Sequence, residues 1–554
     1  MSTSSDSTLL AQICRFLCSD LANSLLLCHP NRLHCKEGAS IPMRWTWWDW
    51  AASDENESKD GPREGSTNAR WLLLLHYYND PHSSIWQDRF ASIPDELKAL
   101  VDDARRLQIP RQTMQESSSC MHDGSRPQGL RMHGMSPKKA HEVMRMTEYV
   151  SDLLSSCGET QAIRHVVDVG AGQVRPSLVL HLRPFYVVVG STAYLSRNLR
   201  DELGLHVLAL DWSDVQTQGA ARKDDMTKAK RKQTAMALNY EDSSCVGAGK
   251  QSYSHLPQIQ KGTLTYKTLR ITAESLTSVV DEWVANEAPN RACAMSGGFP
   301  DQTFLLFVAL HACGSLTPSI LRAVLARLKS ADISRKRAPV AAVVVGCCYN
   351  LLEPKDFPLS ETLSLSKSRL GVPGVALTSN HLQLAAQVPS QWLGSEDTLN
   401  AAKLAMRKVV WRALLERALQ CPSWLQVSTA RQEGGSDAKQ PDEELRSAQP
   451  RRLGRLNDAA YADWDTFLAR AKERLGSDLA TACARDEQTE RRLEVLHVLR
   501  CILGPVVESL ILLDREQWLR EQLEDTGMAV KLVNLFDQAS GSGRNVAIVL
   551  HPRE

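Results

Sequence analysis

Short runs of branched apolar residues recur between residues 163 and 345, with helical periodicity in the stretches that separate them. The runs are Ile163–Val169, His206–Leu210, Leu264–Ile271, Phe304–Leu310 and Val340–Val345. The helical stretches are Ala193–Leu203, Ala273–Val284 and Pro318–Leu328. Runs of this length and composition are typical of strands buried on both faces of a sheet. Strand and helix in alternation therefore predict a parallel sheet with right-handed crossovers.

The C-terminal end departs from this alternation. A predicted helix over Leu503–Leu523 is followed by two predicted strands, Val530–Phe536 and Asn545–Leu550. The segment Asp537–Arg544 between them is rich in Gly and Ser and predicts a hairpin turn. We therefore expect a doubly wound, mostly parallel α/β sheet closed by an antiparallel C-terminal hairpin. A dehydrogenase sheet would continue parallel.

A chain of 554 residues is longer than one hydrophobic core usually spans. We predict four regions: a helical, Trp-rich N-terminal region, an α/β core, a helical insertion, and a C-terminal helix and hairpin that complete the sheet. Their bounds are 1–134, 135–364, 365–500 and 501–554. The core contains a polar loop at 214–262, and the insertion contains a segment of disordered composition at 431–449.

Charge and apolar content narrow the class of protein only in part. The formal net charge of +1 gives no overall signature of nucleic-acid binding. The longest apolar runs, Trp71–Leu75 and Pro339–Cys348, are too short to span a bilayer, and no signal peptide is readable. We expect an intracellular monomer, cytoplasmic or nuclear, with reduced thiols and no membrane partner. Four indoles within residues 45–50 predict either a packing anchor or a base-stacking platform.

The segment Asp168–Gly172 has the chemistry of a cofactor loop. A predicted strand ends in Asp168, and Gly170 and Gly172 let the backbone approach a ligand where Cβ atoms would clash. Glycine turns after strands are common, so this pattern is weak alone. Asp211 supports it, because an acidic residue at the end of the next strand can accept both ribose hydroxyls of an adenosine cofactor.

The spacing between Gly170 and Asp211 is about double the roughly 20 residues expected. Removing Val174–Thr192 restores a strand, loop, helix and strand of ordinary spacing. We hypothesise that this segment is an insertion, such as an unspliced intron. The alternative keeps Val187–Val189 as a genuine extra strand.

Unusual residues follow the fourth and fifth predicted strands, whose carboxyl ends lie where such sheets bind ligands. They are His311, Cys313, Cys347, Cys348 and Tyr349. One interpretation is substrate positioning and proton transfer, a second is a His/Cys metal site, and a third is small apolar filling of strand ends. The absence of CxxC spacing disfavours metal. We therefore predict His311, Cys313 and Tyr349 as catalytic residues, and no metal.

The segment before the first strand predicts a helix with Ser136 as N-cap and Pro137 in the first turn. Lys138 and Lys139 in that turn oppose the helix dipole. We interpret them, together with His141, as facing a carboxylate or phosphate of the cofactor or substrate. The alternative is exposed lysines that favour solubility.

Taken together, these segments resemble the methyltransferase-like protein 25 family, also described as methyltransferase domain-containing or ribosomal RNA adenine dimethylase domain-containing proteins. The resemblance covers about residues 135–552. It is carried by MSPKKAHEV, VDVGAGQ, YLSR, LHACGSL, VGCCYNLL, FPLS, LAAQ, RALLE, VVESLILLDR and GRNVAIV. Ser315 departs from the pattern, because relatives often have Asp there.

The resemblance implies a class I S-adenosylmethionine-dependent methyltransferase fold and S-adenosylmethionine as cofactor. Our first hypothesis is an RNA-directed methyltransferase. Its cofactor-binding residues would be Asp168, Gly170, Gly172, Asp211, Lys138, Lys139 and His141. The second hypothesis is a catalytically impaired scaffold that binds protein partners through its helical insertion. The chain has no Asn-Pro-Pro-Tyr-type tetrapeptide after the fourth strand, which argues against adenine N6 chemistry.

Overall fold

A computed structural model describes most of the chain. The described residues are 3–33, 45–53, 69–112, 135–156, 164–171, 193–212, 262–292, 304–330, 340–419, 453–475 and 485–553. Gly172, the predicted insertion 174–192, the segment 431–449 and the loop 214–262 apart from Gly262 lie outside them. The chain forms two compact units. The helical unit comprises residues 1–109 and 371–510, and the sheet unit comprises 110–370 and 511–554.

The described strands lie in the sheet unit and form one sheet. They are β1 (His165–Val169), β2 (His206–Asp211), β3 (Leu264–Thr268), β4 (Leu305–Cys313), β5 (Val340–Cys347), β6 (Met528–Asn534) and β7 (Val546–Pro552). Their order is β3-β2-β1-β4-β5-β7-β6. Neighbours from β3 to β5 run parallel, whereas β7 is antiparallel to both β5 and β6. This confirms the predicted doubly wound sheet with an antiparallel C-terminal hairpin, the arrangement of class I methyltransferases.

The described helices are numbered in chain order. The first are α1 (Thr3–Leu17), α2 (Asp20–Leu27), α3 (Trp47–Ala52), α4 (Arg70–Asn79), α5 (Gln87–Phe90), α6 (Asp95–Arg106), α7 (Pro137–Ser156) and α8 (Tyr194–Leu203). They are followed by α9 (Ala273–Ala292), α10 (Leu316–Ser330), α11 (Glu361–Ser364), α12 (Ser366–Arg369), α13 (Ser379–Leu384), α14 (Glu396–Leu419), α15 (Trp464–Leu475) and α16 (Glu487–Gln522).

Helix α16 begins 16 residues before the Leu503 predicted from sequence, so the predicted boundary at 500/501 falls inside it. That prediction placed Pro505 near the helix start, where proline is tolerated. In the structure Pro505 lies within the helix, and the nearby Leu503 and Val507 are fully buried. Burial of these apolar residues offsets the roughly 3 kcal/mol that an internal proline costs.

Helix α16 is also the one described helix that is by itself long and apolar enough to cross a membrane. Its most apolar 18-residue window is 94% buried inside the protein, as in the core helices of globular domains. Helices α1 and α2 pass the same test only as a pair, bent by 66°.

The core of the sheet unit lies between the sheet and helices α7 and α8. Val143 and Met146 of α7 and Leu199 of α8 are fully buried there, because apolar residues recur at helical spacing along one face of each helix. The strands contribute their own buried residues to this cluster: Val166, Val207, Leu306, Val308, Ala341, Val343, Val345, Val533, Ala547 and Val549. This packing fixes the start of α7 beside the carboxyl ends of β1 and β4.

The tryptophan-dense segment lies within the helical unit. The rings of Trp45 and Trp47 stack with centroids 5.0 Å apart, and both side chains are buried. Trp48 contacts the same pair and lies under the guanidinium of Arg492. Burial of Trp45 and Trp47 excludes their use as an exposed base-stacking platform.

Candidate functional site

The loop after β1 turns at Gly170, whose φ is +81°. This is the left-handed region that favours glycine, so the sequence can make the turn here at low cost. The backbone N–H groups of Gly170 and Ala171 donate to the carbonyl oxygen of Leu210, at 2.9 and 3.1 Å. The loop is therefore anchored on the end of β2, next to Asp211.

Asp168, which begins the predicted loop, is buried within β1 and accepts a 2.5 Å hydrogen bond from Ser196 Oγ of α8. Burial raises the pKa of Asp168 to about 6, and the nearby Asp211 carboxylate adds to the rise. The Ser196 hydrogen bond and the charge of Lys139 partly oppose it. Asp168 is therefore a carboxyl group whose charge responds to pH close to neutrality and to any cation placed beside it.

The start of α7 has the predicted cap, because Ser136 Oγ accepts a hydrogen bond from the Lys139 N–H at 3.3 Å. The two lysines differ in surroundings. Lys138 is exposed, whereas Lys139 is half-buried. Burial lowers the pKa of Lys139, while the carboxylates of Glu142 and Asp168 act in the opposite direction. Lys139 thus faces carboxylates of the protein itself.

His141 lies apart from the other predicted cofactor residues. Its ring packs edge-on against Phe536, with centroids 6.4 Å apart. Its Nε2 is buried and makes no hydrogen bond within the described part of the chain. The structure therefore does not bring His141 to the pocket that holds Lys139 and Asp168.

His311 near the end of β4 pairs with Glu142 of α7. Its Nε2 lies 3.0 Å from Glu142 Oε2, and the Glu142 side chain is only 2% exposed. Burial alone would raise the pKa of Glu142. The hydrogen bond from His311 and electrostatic interactions with His311, Lys139 and Lys138 overcome it and hold that pKa below its usual value. Glu142 was missed from sequence, although an acidic residue between the buried Ala140 and Val143 was a usable signal.

These groups line one pocket at the carboxyl edge of β1 and β4. Its walls are Lys139, Asp168, Gly170, Ala171, Tyr194, Leu195, Leu310 and His311. It combines one cation, one titratable carboxyl group, a glycine turn and an imidazole with apolar walls. Its charged groups of both signs can pair with a ligand that carries both an ammonium and a carboxylate.

The end of β2 provides a second carboxylate. Asp211 is 5% exposed and accepts a 2.7 Å hydrogen bond from the N–H of Trp212. Trp212 itself is 69% exposed, although it follows directly after a buried strand. An exposed indole at this edge of the sheet was also missed from sequence, because Trp212 belongs to no pattern that predicts burial or contact.

The cysteines of the two strand tips come together. Cys313 and Cys347 are paired in register between β4 and β5, and their Sγ atoms lie 3.2 Å apart. With Cys348 they form a group whose Sγ atoms all lie within 4.8 Å of one another. Hydrogen bonds with Cys313 and Cys348, together with burial, raise the pKa of the Cys347 thiol.

Tyr349, a predicted catalytic residue, is fully buried. The guanidinium of Arg515 lies over its ring, 5.7 Å from the centroid. The preceding residue, Asp514, accepts hydrogen bonds from the N–H and Oγ of Ser360 at 2.9 and 2.6 Å. Two distant segments of the family resemblance, FPLS and VVESLILLDR, thus meet here and hold the tip of β5.

Ser315, where relatives often have Asp, accepts a 2.8 Å hydrogen bond from the N–H of Glu353. The serine therefore ties the start of α10 to the segment that follows β5.

Comparisons with known proteins support the family. A family model described as "Methyltransferase domain" matches residues 138–355. Those residues run from the start of α7 beyond β5 and contain every described wall of the pocket. A "Probable methyltransferase-like protein 25" of Mus musculus is 28% identical over 246 residues, 42% of this chain.

That alignment covers 35% of the mouse protein, so the chain spans about a third of the length of this relative. No solved structure matches the chain significantly. This chain therefore contains a methyltransferase domain, and its resemblance to the methyltransferase-like protein 25 family is confirmed.

Proposed function

We propose that this protein is an S-adenosylmethionine-dependent methyltransferase that acts on RNA. The observation that carries the proposal is the convergence of Asp168, Gly170, Lys139 and His311 in one pocket at the carboxyl edge of the sheet. In open α/β sheets this edge, at the switch in strand order beside β1, is where ligands bind.

The donor set of the pocket fits the cofactor. The methionine part of S-adenosylmethionine has an ammonium, opposite in charge to Asp168, and a carboxylate, opposite in charge to Lys139. The ribose hydroxyls match Asp211, which lies at the end of β2 next to the glycine turn. Because burial raises the pKa of Asp168 to about 6, a bound ammonium would stabilise the charged form of this carboxyl group.

Trp212 fits the adenine part of the same ligand. Its indole is 69% exposed, and Trp212 directly follows Asp211, the residue that we propose for the ribose. Stacking of a purine on an aromatic side chain typically contributes about 1–3 kcal/mol. We therefore assign Trp212 to adenine stacking.

When bound, the cofactor supplies a methyl group on a sulfonium that reacts with a nucleophile in line. The acceptor side of the pocket is formed by His311, whose side chain is 28% exposed while Glu142 behind it is 2% exposed. Glu142 Oε2 fixes the imidazole through Nε2, which leaves Nδ1 to accept a proton from the attacking group. Methyl transfer otherwise needs mainly orientation and a dry site.

RNA is the acceptor that we propose. Lys138 supports it, because an exposed cation adjacent to the pocket residue Lys139 lies where a backbone phosphate can bind. The near-neutral overall charge requires that any such contact be local.

Calorimetric titration of the full chain with S-adenosylmethionine tests the cofactor assignment. We expect binding that Asp211→Asn and Trp212→Ala each weaken about tenfold, an effect near 1.4 kcal/mol. Asp152→Asn, on the exposed side of α7, is the matched control and should bind like the wild type. No binding at millimolar cofactor would favour the scaffold hypothesis instead.

Transfer of labelled methyl groups to separated RNA, protein and small-molecule fractions tests the acceptor. We expect label in RNA, reduced by Lys138→Glu more than by Lys367→Glu on α12. Label confined to protein or to small molecules would contradict RNA as acceptor while leaving the cofactor assignment intact.

A further inference from the structure

We propose that Cys313, Cys347 and Cys348 bind one Zn²⁺ ion at the carboxyl edge of β4 and β5. Sequence patterns alone disfavour such a site, because the three cysteines lack CxxC spacing and come from two strands. In the structure the parallel pairing of β4 and β5 brings the thiols together instead, because Cys313 lies directly opposite Cys347.

The distances suit a thiophilic ion. Zinc binds thiolates at about 2.3 Å, so two sulfur ligands of a tetrahedral ion lie about 3.8 Å apart. The three Sγ atoms lie within 4.8 Å of one another, and Cys313 and Cys347 are separated by 3.2 Å. Adjustments of less than about 1 Å between sulfur atoms, within the reach of cysteine rotamers, give the zinc geometry.

The backbone turns two consecutive cysteines toward the same point. Successive residues of a strand face opposite sides of a sheet, so Cys347 and Cys348 in a regular strand would diverge. Cys348 instead has φ +47°, a left-handed conformation that is unfavourable for a residue with a Cβ. This turn ends β5 and places the Cys348 thiol beside those of Cys313 and Cys347. Backbone strain of this kind concentrates at functional sites.

The chemistry balances without any change of oxidation state. None of these three cysteines forms a disulfide, and each S–H bond breaks as a Zn–S bond forms, with the proton passing to solvent. Three thiolates on one divalent ion leave a single net negative charge. The half-buried Lys139, whose charge already acts on Cys347, offsets it.

Within the described residues the ligand group consists of these three cysteines, which leaves a fourth position for water or a substrate atom. Three protein ligands with one open position are typical of catalytic rather than structural zinc. Cys313 lies two residues from His311, so the ion would adjoin the acceptor side of the pocket. Zinc binding does not depend on the proposed methyl transfer and is tested separately from it.

Metal content of the full chain is the direct test. Reduced protein is loaded with Zn²⁺, desalted and measured by plasma mass spectrometry. We expect one equivalent in the wild type and at least a tenfold loss of affinity in Cys313→Ser, Cys347→Ser and Cys348→Ser. Cys18→Ser, which removes a half-exposed thiol of the helical unit, should keep the full equivalent. Circular dichroism of each variant distinguishes loss of the ligand from loss of the fold.

A second measurement on the wild type needs no variant. Cobalt(II) loaded in place of zinc should show near-ultraviolet thiolate charge-transfer bands of the intensity expected for three sulfur ligands. Zinc retained by all three strand-tip variants would overturn the site, as would a folded, reduced wild type that binds no zinc or cobalt. A Cys313–Cys347 disulfide in protein that rejects zinc would overturn it in favour of a redox pair.

Discussion

His311 Nε2 lies 3.0 Å from Glu142 Oε2, although 169 residues separate the two in sequence. The pair links the start of α7 to the end of β4 across the pocket. Glu142 is buried and held ionised, whereas the imidazole reaches the pocket wall. A buried carboxylate that orients an accessible imidazole is an arrangement suited to proton transfer.

Glu142→Gln should lower the rate constant of methyl transfer by roughly 10²-fold or more, the range typical of general acid–base contributions. The glutamine keeps the shape but loses the charge that orients His311. We expect the cofactor Kd to stay within about twofold, because Glu142 does not line the pocket.

The measurement is single-turnover methyl transfer as a function of pH, with Glu148→Gln on the exposed side of α7 as the control. A change in cofactor affinity with an unaltered pH profile would contradict the positioning role.

Asp168→Asn should remove the pH dependence of cofactor binding between about pH 5 and 7. In the free protein burial raises the pKa of Asp168 to about 6. A bound ammonium favours the carboxylate and lowers that pKa, so binding releases a proton below about pH 6. Affinity should therefore rise with pH up to about 6 and then level off. Titrations at several pH values measure this, and an identical pH profile in the Asn variant would refute the assignment.

Gly170→Ala should weaken both folding and cofactor binding. An alanine at φ +81° costs about 1–2 kcal/mol of folding free energy, even though the nearest atoms leave space for its Cβ. Gly371→Ala is the matched control, because Gly371 has φ +63° with nothing within 4 Å of an added Cβ. Denaturant unfolding should show similar losses for the two variants. Only Gly170→Ala should change the cofactor Kd, and equal Kd values would argue against a cofactor role for the turn.

Tyr349→Phe should reduce stability by about 1 kcal/mol and leave methyl transfer close to wild type. Sequence predicts a catalytic role for Tyr349, but its ring is fully buried under Arg515, which favours a structural one. Tyr461→Phe provides a comparison in the helical unit, since Tyr461 is also buried and its hydroxyl accepts a hydrogen bond from Arg412. A rate loss above tenfold in Tyr349→Phe, with cofactor binding intact, would restore the catalytic assignment.

Local patterns in the sequence were sufficient for much of the fold. The strands from His165 to Cys347 and the C-terminal hairpin lie within a few residues of their predicted bounds, because most of them are short apolar runs that become buried. The prediction that Leu264–Ile271 is a buried strand was wrong, since β3 lies at an edge of the sheet and its residues are only half-buried. The Ser136 cap was equally readable, since it depends on residues three positions apart. The start of helix α16 could not be predicted from sequence, because burial of its whole apolar length overrides the local effect of Pro505.

The sequence by itself thus determined the order of strands and helices, the glycine turn at Gly170 and the resemblance to the methyltransferase-like protein 25 family. Only the tertiary structure decided which side chains act together. Glu142 meets His311, Cys313 meets Cys347 and Cys348, and Asp514 meets Ser360 across long separations in the chain. The physical reason is that periodicity and capping act over a few residues. Contacts at strand tips depend instead on the register of parallel strands and on the helices packed against them, which no local pattern specifies.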